Sequence, residues 1–269
     1  MKKKILIIGS SGFIGSTLSK KLKKNFIIFK SHTKKKRIID MLNYRNLEIF
    51  VKKKKIDYIL NLSGQSTENK LNENSIKGNQ NLLKLTKKFE FLNIIYFSSS
   101  LIYGEKKLPA SEIENTQPIC NYSKIKKKVE KLYLNRSKQF RILRIANIYD
   151  LKTPKKTGLI CNIKKVLKND DKLTIPSLNL VRNYLLLDDL CNIILIILKN
   201  YTLINQNIIN IGHENLSIKK IINIFEKKYK KKINTRIISN KLNPSIPLNI
   251  NKMKSIINIK RLNKLKDII

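Results

Sequence analysis

Tryptophan is missing from this 269-residue chain, and glycine (8), proline (6) and cysteine (3) are all scarce. The three cysteines, Cys120, Cys161 and Cys191, follow no spacing pattern, which argues against a disulfide framework or a zinc site. No metal is expected. No apolar stretch reaches the ~18 residues of a membrane-crossing helix, so no membrane partner is expected either. Acidic residues are few: 18 Asp and Glu stand against 57 Lys and Arg, a formal net charge of +39. Such a balance invites a nucleic-acid reading, but the lysines are spread over the whole length. Ile and Asn are also abundant, and the codons of all three are AT-rich, so a compositional bias would raise the charge without selection for a polyanion. Aromatics make up only 7%, too few for an interleaved stacking platform. No specific nucleic-acid partner is expected.

A secretion signal is also disfavoured. The opening Met1 to Lys4 and the apolar Ile5 to Ile8 resemble one, but Gly9, Ser10 and Ser11 interrupt the apolar run at once. The chain reads as a soluble protein of a reducing, cytoplasmic compartment.

What is present is an alternation. Apolar runs at residues 5–8, 26–29, 58–62, 94–97 and 142–145 read as strands buried on both faces. Amphipathic segments near 13–24, 44–55, 74–89 and 121–137 read as helices between them. This alternation predicts an α/β fold with a doubly wound parallel sheet over residues 1–150. After Asp150 the rhythm loosens, with helices near 159–168, 187–200 and 217–230 and short strands near 172–175, 182–186, 207–211 and 233–238. Residues 151–269 are expected to form a smaller α/β lobe completing a cleft, not an independent domain.

Three of the eight glycines, Gly9, Gly12 and Gly15, fall directly after the first apolar run and enter a helix. A glycine turn there lets backbone approach a pyrophosphate, and the helix N-terminus supplies free N–H groups and positive dipole. Ser11, Phe13 and Ile14 belong to the same turn. A tight turn needing only small residues is the plainer alternative. The Gly-x-x-Gly-x-x-Gly spacing resembles that of the extended short-chain dehydrogenase/reductase family, also called the NAD-dependent epimerase/dehydratase family. The resemblance implies a Rossmann-like NAD(P)-binding domain.

At the end of the second strand stand Lys30, Ser31, His32 and Thr33, followed by Lys34, Lys35, Lys36 and Arg37, with no acid among them. NAD-selective folds usually place a carboxylate there, and a cation with a hydroxyl suits a 2′-phosphate, so NADP is favoured over NAD. Asp40 and Met41 resemble the family's pair that edges the adenine. Leu62, Ser63 and Gly64 lie in the loop that follows the family's fourth strand and passes the cofactor.

Tyr122 and Lys126 are one helical turn apart and share a face. A phenol of pKa about 10 is a poor base, and a neighbouring ammonium favours its phenolate. With ten Tyr in a chain of 57 basic residues, about two such pairs arise by chance, and Tyr103 with Lys107 is the other. Context separates them: Tyr103 adjoins Gly104 in a loop, whereas Tyr122 opens an amphipathic segment with Glu130 four residues past Lys126. The stretch from Pro118 to Glu130 resembles the family's active-site helix. The family ends its fifth strand with a small hydroxyl residue four positions before a Tyr-Gly pair, which maps onto Ser99, with Ser100 next in register. Simple capping of the strand end by three serines is the bland reading. The resemblance thus implies Ser99, Tyr122 and Lys126 as a catalytic set, with Tyr122 and Lys126 also on the cofactor.

Further matches run to about residue 220. Asn147 maps onto a residue facing substrate and Arg182 onto one contacting a nucleotide diphosphate, although a structural role competes for Arg182. Departures occur at Asn61, Ser63, Gly64 and Asp150. The family's dehydratases carry an Asp-Glu pair after the active-site hydroxyl; this chain has Ser100 and Leu101, and Leu101 cannot move a proton. The resemblance therefore implies hydride transfer at a sugar carbon, commonly C4, by a 4-ketosugar-nucleotide reductase or a 4-epimerase. A nucleotide sugar is the expected substrate, and a homodimer is suggested by analogy. A non-catalytic dinucleotide-binding protein, or a basic RNA-binding one, is the other class.

Overall fold

The computed structural model describes every residue except 33–37, 65–72, 135–138, 153–157, 239–242 and 258–260. The expected alternation is present from the start: β1 (Lys4–Ile8), α1 (Phe13–Leu22), β2 (Ile27–Lys30), α2 (Tyr44–Lys54), β3 (Tyr58–Asn61), α3 (Glu73–Lys88), β4 (Asn93–Ser99), α4 (Asn121–Leu134) and β5 (Phe140–Ile145). The second strand starts at Ile27 rather than Phe26, because the Phe26 N–H still bonds to the Leu22 carbonyl at the exit of α1. The chain continues through β6 (Asn147–Tyr149), α5 (Leu159–Asn169), β7 (Leu173–Ile175), β8 (Val181–Leu186), α6 (Leu187–Lys199) and β9 (Ile208–Ile211). It ends with β10 (Glu214–Ser217), α7 (Ile218–Tyr229), β11 (Thr235–Ile237), α8 (Asn251–Ile256) and α9 (Leu265–Ile268).

Six strands form one sheet in the order β2-β1-β3-β4-β5-β9. The pairs β1–β2, β1–β3 and β3–β4 are parallel. After β1 the chain builds first to one side and then to the other, so the sheet has its topological switch point beside β1, where ligands of such sheets gather. Among the described residues, the strand ending at Asn61 is the third and that ending at Ser99 the fourth, where the family's count has the fourth and fifth. Among the described residues between β2 and β3 there is one helix, α2, and no further strand.

The chain divides into two compact units. The first comprises Met1–Ile102, Pro118–Arg144 and Leu195–Ile209; the second Tyr103–Gln117, Ile145–Ile194 and Asn210–Ile269. The chain thus passes between units more than once, where the expectation of a boundary near residue 150 has a single passage. In the first unit Leu6, Ile8, Ile59, Ile94 and Ile142 of the sheet pack with Leu47, Val51, Leu82, Leu85 and Val129 of the helices. β3 and β5 are buried at every position, as strands covered on both faces must be. Each buried Leu, Ile or Val contributes about 1.5–3 kcal/mol to stability. The second unit has a three-stranded sheet β10-β8-β6 and a β11–β7 pair, with Tyr149, Ile163, Leu173, Ile221 and Phe225 in its own core.

Candidate functional site

The glycine turn leaves the end of β1. Gly9 has φ +81, a backbone that side chains other than glycine rarely adopt, and a Cβ there would come 3.1 Å from the Leu62 carbonyl group. Gly15 sits one turn into α1, where an added Cβ would meet the Gly9 carbonyl oxygen at 2.3 Å and the Ser10 Cα at 2.9 Å. Helix and turn therefore pack backbone on backbone. Gly12 caps α1 without any side-chain hydrogen bond, and its own N–H bonds back to the Gly9 carbonyl at 3.1 Å. Ser11 and Gly12 are exposed and Phe13 and Ile14 half-buried. An open helix N-terminus behind a turn with no side chain in the way is a cradle that fits a pyrophosphate. The residues present fit a dinucleotide.

Ser10, which the sequence did not single out, ties the turn to the end of β2: its hydroxyl donates to the His32 carbonyl and accepts from the His32 N–H, both at 3.1 Å. Ser31 was expected to meet a 2′-phosphate. Its side chain is instead 1% exposed and accepts from the Gly9 N–H at 3.2 Å, so it braces the turn from behind. Lys30 is half-buried at the end of β2. Thr33 and the cationic run 34–37 lie outside the described residues. Asp40 accepts from the Leu42 N–H at 3.0 Å, and Met41 lies against α3, where a Cβ added to Gly78 would meet its Cε at 2.4 Å. Asn81 of α3 donates to the Met41 and Leu42 carbonyls at 2.9 and 3.1 Å, which seats that loop.

The second constellation lies at the end of β4 and the start of α4. Ser99 is 8% exposed; its Oγ accepts from the Leu101 N–H at 3.2 Å, and its side chain is near enough to the Tyr122 hydroxyl to lower that group's proton affinity. Ser100 is also buried, opening a short 3-10 turn. Lys126 is 3% exposed, and its ammonium donates to the Phe97 carbonyl at 2.7 Å and the Ser63 carbonyl at 3.0 Å. The same Nζ lies 4.7 Å from the Tyr96 ring centroid and 5.6 Å from that of Tyr122. Gly64, at φ +120, leaves room for it: a Cβ there would sit 3.0 Å from Lys126 Nζ. Ser99, Tyr122 and Lys126 are thus brought together, with Ser63 and Gly64 beside them.

The electrostatics of the pair reverse the expectation for Tyr122. Burial pushes its hydroxyl up to about 12, against the opposing pull of the Ser99 side chain. Burial also brings Lys126 down to about 7, outweighing the attraction of Glu130. Sequence spacing reveals the ammonium near the phenol but not the low-dielectric setting that disfavours both charges. Near neutral pH Tyr122 is consequently a protonated donor beside an amine close to its own midpoint.

The other Tyr-x-x-x-Lys pair does different work. The Tyr103 hydroxyl donates to Asn210 Oδ1 at 2.7 Å, and Asn210 Nδ2 bonds to the carbonyls of Ala110 and Asn249, both at 3.0 Å. This buried amide is a brace for the second unit. Asn147 Nδ2 donates to the Asn183 carbonyl at 3.1 Å, and Arg182 Nε to the Pro244 carbonyl at 2.9 Å. The substrate-side candidates thus divide, Ser99 and Ser100 in the first unit, Asn147 and Arg182 in the second.

The Phe97 and Ser63 carbonyls, the Tyr96 ring and the buried Asn79 carry no signal in the sequence, and Asn61, also buried, stands out there only as a departure from the family pattern. In a chain this rich in asparagine, no composition signal marks them.

A family model described as NAD dependent epimerase/dehydratase family matches residues 5–212. A dTDP-D-glucose 4,6-dehydratase of Dictyostelium discoideum is 30% identical over an alignment covering 82% of this chain and 62% of that protein. The chain therefore spans less than two thirds of that relative's length. A GDP-6-deoxy-D-talose 4-dehydrogenase of Aggregatibacter actinomycetemcomitans is 29% identical, with 71% of this chain and 68% of that protein covered. Among solved structures, UDP-glucuronic acid 4-epimerase of Bacillus cereus, in complex with UDP-glucuronic acid and NAD, superposes with a TM-score of 0.79. It covers 98% of this chain and 96% of its own at 22% identity, a likeness of fold.

Proposed function

The chain belongs to the NAD-dependent epimerase/dehydratase family, and from that premise we propose that it is an NAD(P)-dependent enzyme acting on a nucleotide sugar in the cytoplasm. The reaction proposed is hydride transfer at the sugar, at C4, by a 4-ketosugar-nucleotide reductase or a 4-epimerase. The observation that carries this reading is the gathering of three groups: the Lys126 Nζ, held by two backbone carbonyls, lies 5.6 Å from the Tyr122 ring, whose hydroxyl is near enough to Ser99 for Ser99 to lower its proton affinity.

Gly9, Ser11, Gly12, Phe13, Ile14 and Gly15 would hold the pyrophosphate, Asp40 and Met41 the adenine end, and Leu62, Ser63 and Gly64 the nicotinamide side. A nicotinamide bound there supplies hydride exchange with the sugar carbon. Tyr122, kept protonated by its surroundings, hands its proton to the sugar oxygen in the reductive direction, and Ser99 orients that oxygen and shares the proton. The Lys126 ammonium stabilises the phenolate that results. Asn147 and Arg182 are proposed to contact substrate, Arg182 through phosphate oxygens.

Elimination is not supported, despite the dehydratase among the relatives. Leu101 stands where a proton-moving carboxylate is needed, and its N–H is bonded to Ser99 Oγ. NADP is preferred over NAD in this reading, since the end of β2 carries Lys30 and no carboxylate, although the Bacillus cereus structure holds NAD. That preference tips the choice toward reductase, since NADPH usually serves reduction.

A panel of nucleotide sugars and their 4-keto forms tests the proposal. A reductase releases oxidised cofactor in step with product; an epimerase turns over without net redox change. Neither outcome across the panel would remove the assignment, leaving a non-catalytic dinucleotide-binding protein.

A further inference from the structure

We propose that Asn61 is a positioning residue for Lys126, acting through a closed ring of buried hydrogen bonds that runs from α4 through α3 and β3 back to α4. The inference rests on the reading of Lys126 given above and adds to it the residue that aims the ammonium.

The ring is fixed in direction by chemistry. The Ser63 N–H can only donate, and it bonds to Asn61 Oδ1 at 3.0 Å, joined by the Ser63 hydroxyl at 2.6 Å. Asn61 must therefore present its NH2 the other way, and it does, to Asn79 Oδ1 at 2.7 Å. With its oxygen so placed, Asn79 accepts the Tyr133 hydroxyl as well and sends its own NH2 to the Ser75 carbonyl at 2.7 Å. Tyr133 is on α4 seven residues past Lys126. The ring closes where the Ser63 carbonyl accepts from Lys126 Nζ at 3.0 Å.

Asn61, Asn79 and Tyr133 are each at most 2% exposed, so no water competes for these bonds. A misplaced amide would leave a buried donor or acceptor unpaired. Ser63 is only half-buried, in a loop that leads directly into glycine. Held at both its N–H and its hydroxyl by one rigid amide, its carbonyl has a defined direction. Without that amide, one of the two carbonyls on the Lys126 ammonium loses its anchor. The other groups facing the ammonium are Tyr122 and Glu130 from its own helix, Tyr96 from β4 and the Phe97 carbonyl. Of these, Tyr96 stands opposite Asn61 in the β3–β4 pair and packs edge-on against Tyr133, so the Asn61→Asp variant, which keeps the acceptors for Ser63, is needed to separate the two routes.

The experiment reads the ionisation of Lys126 directly, without cofactor or substrate. Lysines are labelled with 13C at Cε and titrated by NMR, the resonance being assigned as the one that Lys126→Met removes. Asn61→Leu keeps the shape but removes both bonds to Ser63, and is expected to lower the proton affinity of Lys126 about tenfold, the loss of one bond to a charged group. Asn61→Asp retains both acceptors for Ser63 and is expected not to lower it. Leu85→Ala, a core cavity that removes none of the ring's hydrogen bonds, serves as a destabilised control with Lys126 unchanged. If the Leu variant does not fold, Asn61→Ser, too short to span Asn79 and Ser63, takes its place with the same direction expected. Lys126 titrating alike in the wild type and the Leu or Ser variant, or shifting equally in Asn61→Asp or Leu85→Ala, overturns the inference. Absence of turnover in the unaltered chain would count against the proposed reaction instead, and leaves this titration readable.

Discussion

Arg144 Nη2 lies 2.9 Å from Glu130 Oε2, with both side chains at most 5% exposed. β5 and α4 are thereby joined by an ion pair one helical turn from Lys126, and Glu130 is the carboxylate that holds part of the proton affinity of Lys126 in place. Removing Arg144 alone, as Arg144→Met, leaves a buried carboxylate without its partner and should cost about 3–5 kcal/mol. Glu130→Gln should lower Lys126 further below its present value. Urea unfolding of the first variant and the lysine titration of the second check the two statements.

Tyr122→Phe removes the proposed proton donor and little volume. Turnover should fall by about 10²–10⁴, while dinucleotide binding, followed by cofactor fluorescence, stays within about twofold of the parent chain. Retained turnover would show that another group moves the proton.

Lys126 makes stability depend on pH with a definite sign. Its amine titrates near 7 in the folded chain against an ordinary 10.5. Between those values the unfolded chain holds a proton that the folded chain has released, so stability rises with pH across the window. Below about 7 the full cost of burying the charge is present. Lys126→Met should therefore stabilise most at pH 6.5, with its advantage shrinking toward pH 10. Denaturant unfolding of both chains at several pH values checks this, and a gap that stays constant would contradict it.

Two neighbouring glycines should separate folding from binding. Gly15→Ala places a Cβ 2.3 Å from the Gly9 oxygen, backbone against backbone, and should cost about 3 kcal/mol or more. At Gly12 the nearest atom is 3.4 Å away, an ordinary contact. Gly12→Ala should fold near normally and lose dinucleotide affinity, because its methyl stands where the phosphate approaches. Thermal unfolding alongside cofactor titration distinguishes the two.

Cofactor preference is a further expectation. Isothermal titration should give tighter binding for NADP than for NAD, and Lys30→Glu should narrow or invert the ratio. Equal or tighter NAD binding by the parent chain would remove the claim.

The fold was legible because its signals are local. Ile5 to Ile8 running into Gly9 announces a buried strand and a turn, and Tyr58 to Asn61 has no polar side chain until the strand end. The proximity of Ser99, Tyr122 and Lys126 follows from their places at a strand end and one helix turn, but the energetics of the cluster do not. Tyr122 stood out from Tyr103 by context, and the structure does use Tyr103 differently, as a donor to Asn210. The rise of the Tyr122 hydroxyl depends on how deeply α4 sinks against β4, a long-range property that no spacing encodes. Ser31 shows the converse: its residue type suits a phosphate contact, but just past the end of β2 it is turned inward to Gly9. Asn61 and Asn79 are 18 residues apart, and only the crossover through α3 makes them partners.

The close backbone packing at Gly15 bears on how this chain tolerates change. In a saturation-mutagenesis map, Gly15 should stand as a single-letter column, and Gly212 nearly so, where a Cβ would come 2.1 Å from Asn183 Oδ1. The exposed lysines of the same chain should accept most replacements. A recoding scheme that lowers the charge of this protein can therefore be generous over its surface, provided that it leaves untouched the few places where one additional carbon has nowhere to go.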